Sequence, residues 1–224
     1  MTQPITFDAE GLPSVGALAV PAGEGPVGAI IVVHEWWGLN DDIRRLCDRF
    51  AEEGYLALGI DVYGGQVATT AEHAMTLVTE MKTAAAMKVV AGALHALQNH
   101  PRCNGKVGIT GFCLGGGLAI AGACSVPGLA CAVPFYGLPI RSFQTFSAST
   151  PPILGHYAEV DAHLEQERVK AVQEKATEAG CSFELHFYEG AHAFMRRADP
   201  TVYHPASEAL AWSRTLEFCK PLLA

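Results

Sequence analysis

A cysteine set between glycines is the first place in this sequence where residue types and spacing could do chemistry. The run Gly111-Phe112-Cys113-Leu114-Gly115-Gly116-Gly117 has the form G-x-nucleophile-x-G, with sulfur at the nucleophile position. In such an elbow the chain turns sharply from strand to helix and lifts the nucleophile above a sheet. Glycines at 111 and 115 leave room for the close packing that the turn creates. The helix N-terminus behind Cys113 favours negative charge, hence a thiolate. The Leu114 amide would point at a developing oxyanion. Two other readings fit the same residues: a glycine-rich turn holding an inert buried cysteine, and a phosphate-binding loop. The second lacks support, because neither G-x-G-x-x-G nor G-x-x-x-x-G-K-[ST] occurs.

A nucleophilic cysteine needs a base, and the base needs an orienting acid. Where strand, elbow and helix follow one another in this way, acid and then histidine follow the nucleophile in the chain. Asp161, after an apolar run at 153–157, and His192, after another at 183–188, meet that order. The small residues of Glu189-Gly190-Ala191-His192-Ala193-Phe194 would let the histidine approach a thiol. Glu159 and Glu165 compete with Asp161 for the acid, and Asp161 could equally cap a following helix. His95, His100 and His204 read as surface residues and His186 as structural, whereas His34 and His156 could line the site. Glu35 follows the continuous apolar run 28–33, so its carboxylate must be paired, bound to backbone amides or placed near a cleft.

The elements that would position these groups alternate. Strands are predicted over 14–20, 27–34, 55–61, 106–112, 130–136, 153–157 and 183–188. Helices are predicted over 39–53, 71–98 (interrupted near Lys82–Thr83), 114–124, 161–179 and 203–223. Asn40 or Asp41 can cap the first of these, and Gly54 stands where a helix-ending glycine belongs. Strands alternating with helices imply a mostly parallel sheet covered on both faces. With the elbow, this is the α/β class in its α/β-hydrolase fold, as one domain over 1–224.

Composition narrows the function classes. The chain has 224 residues, 50% hydrophobic and 17% charged, with a net charge of −8. An acidic surface disfavours nucleic acid. No apolar run is long enough to span a bilayer. Residues 1–11 hold neither a basic cluster nor an apolar core, so no secretory leader is expected. Seven scattered cysteines, none in a C-x-x-C pair or at metal-ligand spacing, suggest free thiols, a cytoplasmic setting and no metal. Monomer and small homo-oligomer both remain open.

Taken together, HEWWGLN (34–40), DVYGG (61–65), NGKVGITGFCLGGG (104–117), FYG (135–137), Asp161 and GAHAFMRR (190–197) resemble the dienelactone hydrolase family. The resemblance implies a cofactor-free hydrolase that opens a lactone or enol ester, a small-molecule substrate, through an acyl-cysteine. It implies Cys113 as nucleophile, His192 as base and Asp161 as orienting acid. Glu35 matches the glutamate that contacts the resting thiol, and the amides of Leu114 and Trp36 would form the oxyanion hole. Arg196 matches an arginine that pairs with Glu35 and receives a substrate carboxylate, with Trp37 and Tyr136 beside it as substrate contacts. Arg197 reads as a solvated surface charge.

One departure bears on specificity. The resemblance calls for a second substrate-binding arginine before the elbow, yet no arginine lies between Arg49 and Arg102. Lysine and histidine do not replace a bidentate guanidinium. Trp36 and Trp37 also crowd the expected mouth of the site. The expectation is a preference for a larger or less charged ester. A general esterase or peptidase, or a ligand-binding or redox-sensing protein without turnover, is the other reading.

Overall fold

The computed structural model describes all 224 residues. Eight strands form one sheet: β1 (Gln3–Ala9), β2 (Leu12–Ala19), β3 (Val27–Val33), β4 (Leu56–Ile60), β5 (Cys103–Phe112), β6 (Leu129–Phe135), β7 (Ile153–Ala158) and β8 (Phe183–Tyr188). Their spatial order is β1-β2-β4-β3-β5-β6-β7-β8. The first three neighbours in that order pair antiparallel, and every pairing from β4–β3 onward is parallel. Six helices connect them: α1 (Asp41–Glu52), α2 (Ala71–Glu80), α3 (Thr83–Gln98), α4 (Leu114–Ser125), α5 (Gln166–Glu178) and α6 (Pro205–Leu223).

The central strands are apolar throughout because both of their faces are covered. Alternate residues still divide between two cores. Ala29, Ile31 and Val33 of β3 pack with α3, α4 and α5, whereas Ile30 and Val32 pack with α1 and α6. Phe50 of α1 and Trp212 of α6, with ring centroids 4.5 Å apart, close the second core. Local sequence starts and stops α1: the Asn40 side chain accepts from the Asp42 and Ile43 amides, and Gly54 adopts φ 91° beyond its end.

Two expectations change and one is met. β1 was not anticipated; it pairs with β2 through a tight turn in which Glu10 and Gly11 both take positive φ. The interruption expected near Lys82–Thr83 is present: 71–98 forms two helices, separated at Met81 and Lys82. The helix expected from Asp161 starts only at Gln166, with Glu165 as its N-terminal flank, so Asp161 is not its cap. The reason is local: Asp161 Oδ1 accepts from the His163 and Leu164 amides at 2.8 and 3.1 Å, folding 161–165 into a side-chain-stabilised turn.

Candidate active site

The parallel strands end together at one edge of the sheet, where open α/β sheets build their sites. Cys113 stands there between β5 and α4 with φ 53° and ψ −113°, a conformation that L side chains rarely adopt. Backbone contacts hold it. A Cβ on Gly111 would fall 2.2 Å from the Gly115 oxygen, one on Gly115 2.4 Å from the Val33 oxygen, and one on Gly137 2.0 Å from the Cys113 oxygen. The Cys113 amide donates to the Phe135 carbonyl at 3.0 Å, and its carbonyl accepts from Gly117 at 3.2 Å. Any side chain at 111, 115 or 137 would force this turn apart.

The structure brings Asp161 and His192 together. His192 Nδ1 donates to Asp161 Oδ2 at 2.7 Å, and Cys113 lies close enough to the ring to perturb it. Burial would pull the imidazole down, but the bond to Asp161 and the nearby Cys113 outweigh it and push the pKa up to about 10. Burial likewise works against the Asp161 carboxylate, yet His192 and the His163 amide hold it below its ordinary range. The His192 loop is anchored by fully buried Phe194, whose carbonyl accepts from the His204 amide at 3.0 Å. Two rings bracket the imidazole edge-on: Tyr136 at 5.1 Å and His163 at 5.0 Å. Sequence reasoning did not single out His163; its position two residues after Asp161, inside the same turn, is the signal that could have found it.

Glu35 is 8% exposed, and burial raises its pKa against the lowering effects of Arg196, a Tyr136 hydrogen bond and His192. The Tyr136 hydroxyl donates to Glu35 Oε1 at 3.2 Å, and Arg196 Nε lies 3.9 Å from Oε2. Tyr136, expected as a substrate contact, is 1% exposed with φ 37° and spends its hydroxyl on Glu35. Arg196 lies over the Trp37 ring at 4.7 Å and has Asp42 and Asp199 within 4.0 and 3.8 Å. Its neighbour Arg197 is exposed but not a free charge: it donates to buried Glu208 at 2.9 Å, a carboxylate that Arg49 also grips. A small cavity of about 80 Å³ opens beside Glu35; its arginines come from α1 (Arg45, Arg49) and from 196–197, not from the stretch before the elbow.

The remaining expected histidines separate. His34 Nδ1 donates to the Glu35 carbonyl at 2.6 Å while Nε2 accepts from the Val62 amide at 3.2 Å, so this buried ring fixes the peptide leading to Trp36. His156 does not line the site. It is buried between the Tyr188 hydroxyl at 2.7 Å and Thr215 of α6 at 3.1 Å. All seven cysteines are free thiols. No group of three or more His, Cys, Asp or Glu residues is arranged to hold a metal, and no helix is long and apolar enough to cross a membrane.

A mostly parallel sheet sandwiched by helices, with a strained residue lifted at a strand-to-helix elbow, defines a hydrolase of the α/β-hydrolase fold. Comparison with known proteins narrows the class. The sequence model of the dienelactone hydrolase family matches residues 15–223, and the chain belongs to that family. "Protein usf" of Aquifex pyrophilus is 35% identical over 232 residues, covering all of both chains. A protein of Aquifex aeolicus, provisionally named a carboxymethylenebutenolidase, is 33% identical, again over all of both chains. A crystal structure of a provisionally named dienelactone hydrolase from Klebsiella pneumoniae superposes with a TM-score of 0.84 at 27% identity, covering 97% of this chain and 98% of the other.

Proposed function

We propose that this protein opens a lactone or enol ester through an acyl-cysteine intermediate, with Cys113 as nucleophile, His192 as base and Asp161 as orienting acid. The observation that carries the reading is the His192–Asp161 hydrogen bond beside Cys113, which stands on a strained elbow. His192, whose protonated form the Asp161 carboxylate favours, receives the thiol proton on this reading. Sγ attacks the carbonyl carbon, and the Leu114 and Trp36 amides receive the oxyanion. The carbon–oxygen bond breaks, the ring or ester oxygen departs as an enolate, and an acyl-thioester remains. His192 passes the proton it took from the thiol to the departed enolate. As a neutral base it then takes a proton from a water that attacks the thioester carbon, the carbon–sulfur bond breaks to release the acid, and the thiolate recovers that proton. An enolate leaves without prior protonation, which suits this site better than an amine would.

Glu35 acts on this reading through charge and position. It holds Arg196 and adds negative potential that favours imidazolium at His192. Arg196 has three carboxylates within about 4 Å, Glu35, Asp42 and Asp199, which would oppose a substrate carboxylate beside it. We therefore assign a preference for a lactone or ester without that carboxylate, and Trp37 and Arg196 as the walls nearest to it. A panel of lactones and enol esters with and without a neighbouring carboxylate tests this. The expected result is a kcat/KM at least about tenfold higher for the neutral members, since one like-charge contact of about 1.4 kcal/mol gives that factor. Equal or better turnover of the carboxylated lactones would overturn the preference, and full activity in Cys113→Ala would overturn the mechanism.

A further inference from the structure

The Tyr63 hydroxyl is buried and has no hydrogen-bond partner, although the residue is only 7% exposed. Native structures rarely leave such a group unpaired, and a catalytic task is one reason they do. The side chain is not loosely placed. The Tyr63 amide donates to Asp61 Oδ1 at 2.8 Å, and the Gly65 amide binds the other carboxylate oxygen. The ring lies 4.7 Å from that of His34, the residue that fixes the Glu35–Trp36 peptide. The apolar cluster around it includes Trp36 and Leu114, whose amides are the two oxyanion donors of the proposed mechanism.

Position decides which substrate oxygen it meets. The leaving oxygen must lie toward His192, and the carbonyl oxygen then points away from it, toward Trp36 and Leu114, where Tyr63 packs. Burial first, and then the nearby Cys113 and Asp61, raise the phenol's pKa, so it stays protonated and can only donate beside a thiolate. Trp37 Nε1 is also buried without a partner, but that ring carries Arg196 on the Glu35 side.

We infer that the Tyr63 hydroxyl is a third donor of the oxyanion site, a catalytic residue whose missing partner is the carbonyl oxygen of the substrate as it becomes tetrahedral. This rests on the acyl-cysteine reading. Tyr63→Phe keeps the ring and its packing and deletes one oxygen. Loss of one oxyanion donor should lower kcat by about 100-fold with KM changed less than about threefold. Affinity for a trifluoromethyl ketone, which forms a hemithioketal on Cys113, should fall by a similar factor. Alkylation of Cys113 by iodoacetamide needs no oxyanion and should keep its rate, and Tm of the free protein should hold or rise. A kcat within about twofold of the parent, or a lowered Tm with slowed alkylation, overturns the inference. Cys113→Ala separates the two claims: if it retains turnover, the acyl-cysteine reading fails; if it is inactive while Tyr63→Phe is not, only the tyrosine assignment fails.

Discussion

Asp161→Asn changes one atom of the site, and its outcome can be worked from the hydrogen bonds around that atom. Asp161 Oδ1 is held by the His163 and Leu164 amides at 2.8 and 3.1 Å. An asparagine keeps its oxygen there, because only an oxygen accepts from those amides, and so turns its NH₂ group toward His192. That group can only donate, so Nδ1 becomes the acceptor and the ring proton moves to Nε2, the nitrogen that must take the Cys113 proton. Two losses combine. A bond to an ionised partner, about 1.5–3 kcal/mol, gives way to a neutral one of about 0.5–1.5. The imidazole is also locked in the wrong tautomer, which in a serine-protease triad costs about 10⁴ in kcat. Asp161 is 2% exposed and His192 18%, so solvent does little to blunt either term. The expected result is a kcat/KM for p-nitrophenyl acetate lowered by about 10³ or more. Imidazole titration followed by ¹⁵N NMR should show the His192 pKa dropping from about 10 by at least about one unit, equivalent to 1.36 kcal/mol. A variant that keeps more than a tenth of the parent rate, or whose imidazole titrates as before, would sink this account of the site.

Two further outcomes follow from burial and packing. Glu35 has a pKa raised by burial, so above its ordinary value of 4.5 the folded protein binds more protons than the unfolded chain, and stability declines as pH rises through the folded pKa. Glu35→Gln removes that slope: melting curves should show it more stable than the parent at pH 8, with the gap closing by about pH 4. A variant less stable than the parent at pH 8 would mean that pairing with Arg196 outweighs burial. Gly115→Ala should lower stability by about 1–3 kcal/mol and activity beyond the unfolded fraction, because its Cβ would meet the Val33 and His34 oxygens at 2.4 and 2.6 Å. Denaturant melts and active-site titration measure both, and an undisturbed variant would show that the elbow has slack.

The architecture was legible where a residue's role is set by its neighbours in the chain. The apolar run of β3, the Asn40 cap and Gly54 announce a strand and a helix without reference to anything distant. The glycines around Cys113 announced a tight turn for the same reason. β1 was missed because Gln3–Ala9 buries only Phe7 and Ala9 fully, too sparse a pattern to register. The Asp161 helix was misread because propensity favoured helix while one side chain captured two amides. Tyr136 was expected as a substrate contact; its direction, under Glu35, depends on a left-handed backbone that no local pattern records. Tyr63 left no sign at all, since an unpartnered hydroxyl exists only once the surroundings are assembled.

The contacts that hold the elbow, between residues 111, 115, 137 and the ends of β3 and β6, run from backbone to backbone. The side chain at 113 takes no part in them. Scaffold and reagent are therefore separable heritable traits. One nucleotide change turns a cysteine codon into a serine codon, and this turn would present oxygen where it now presents sulfur. A lineage carrying it could exchange thioester for oxygen-ester chemistry in one mutational step, leaving the relay behind the nucleophile to adjust afterwards.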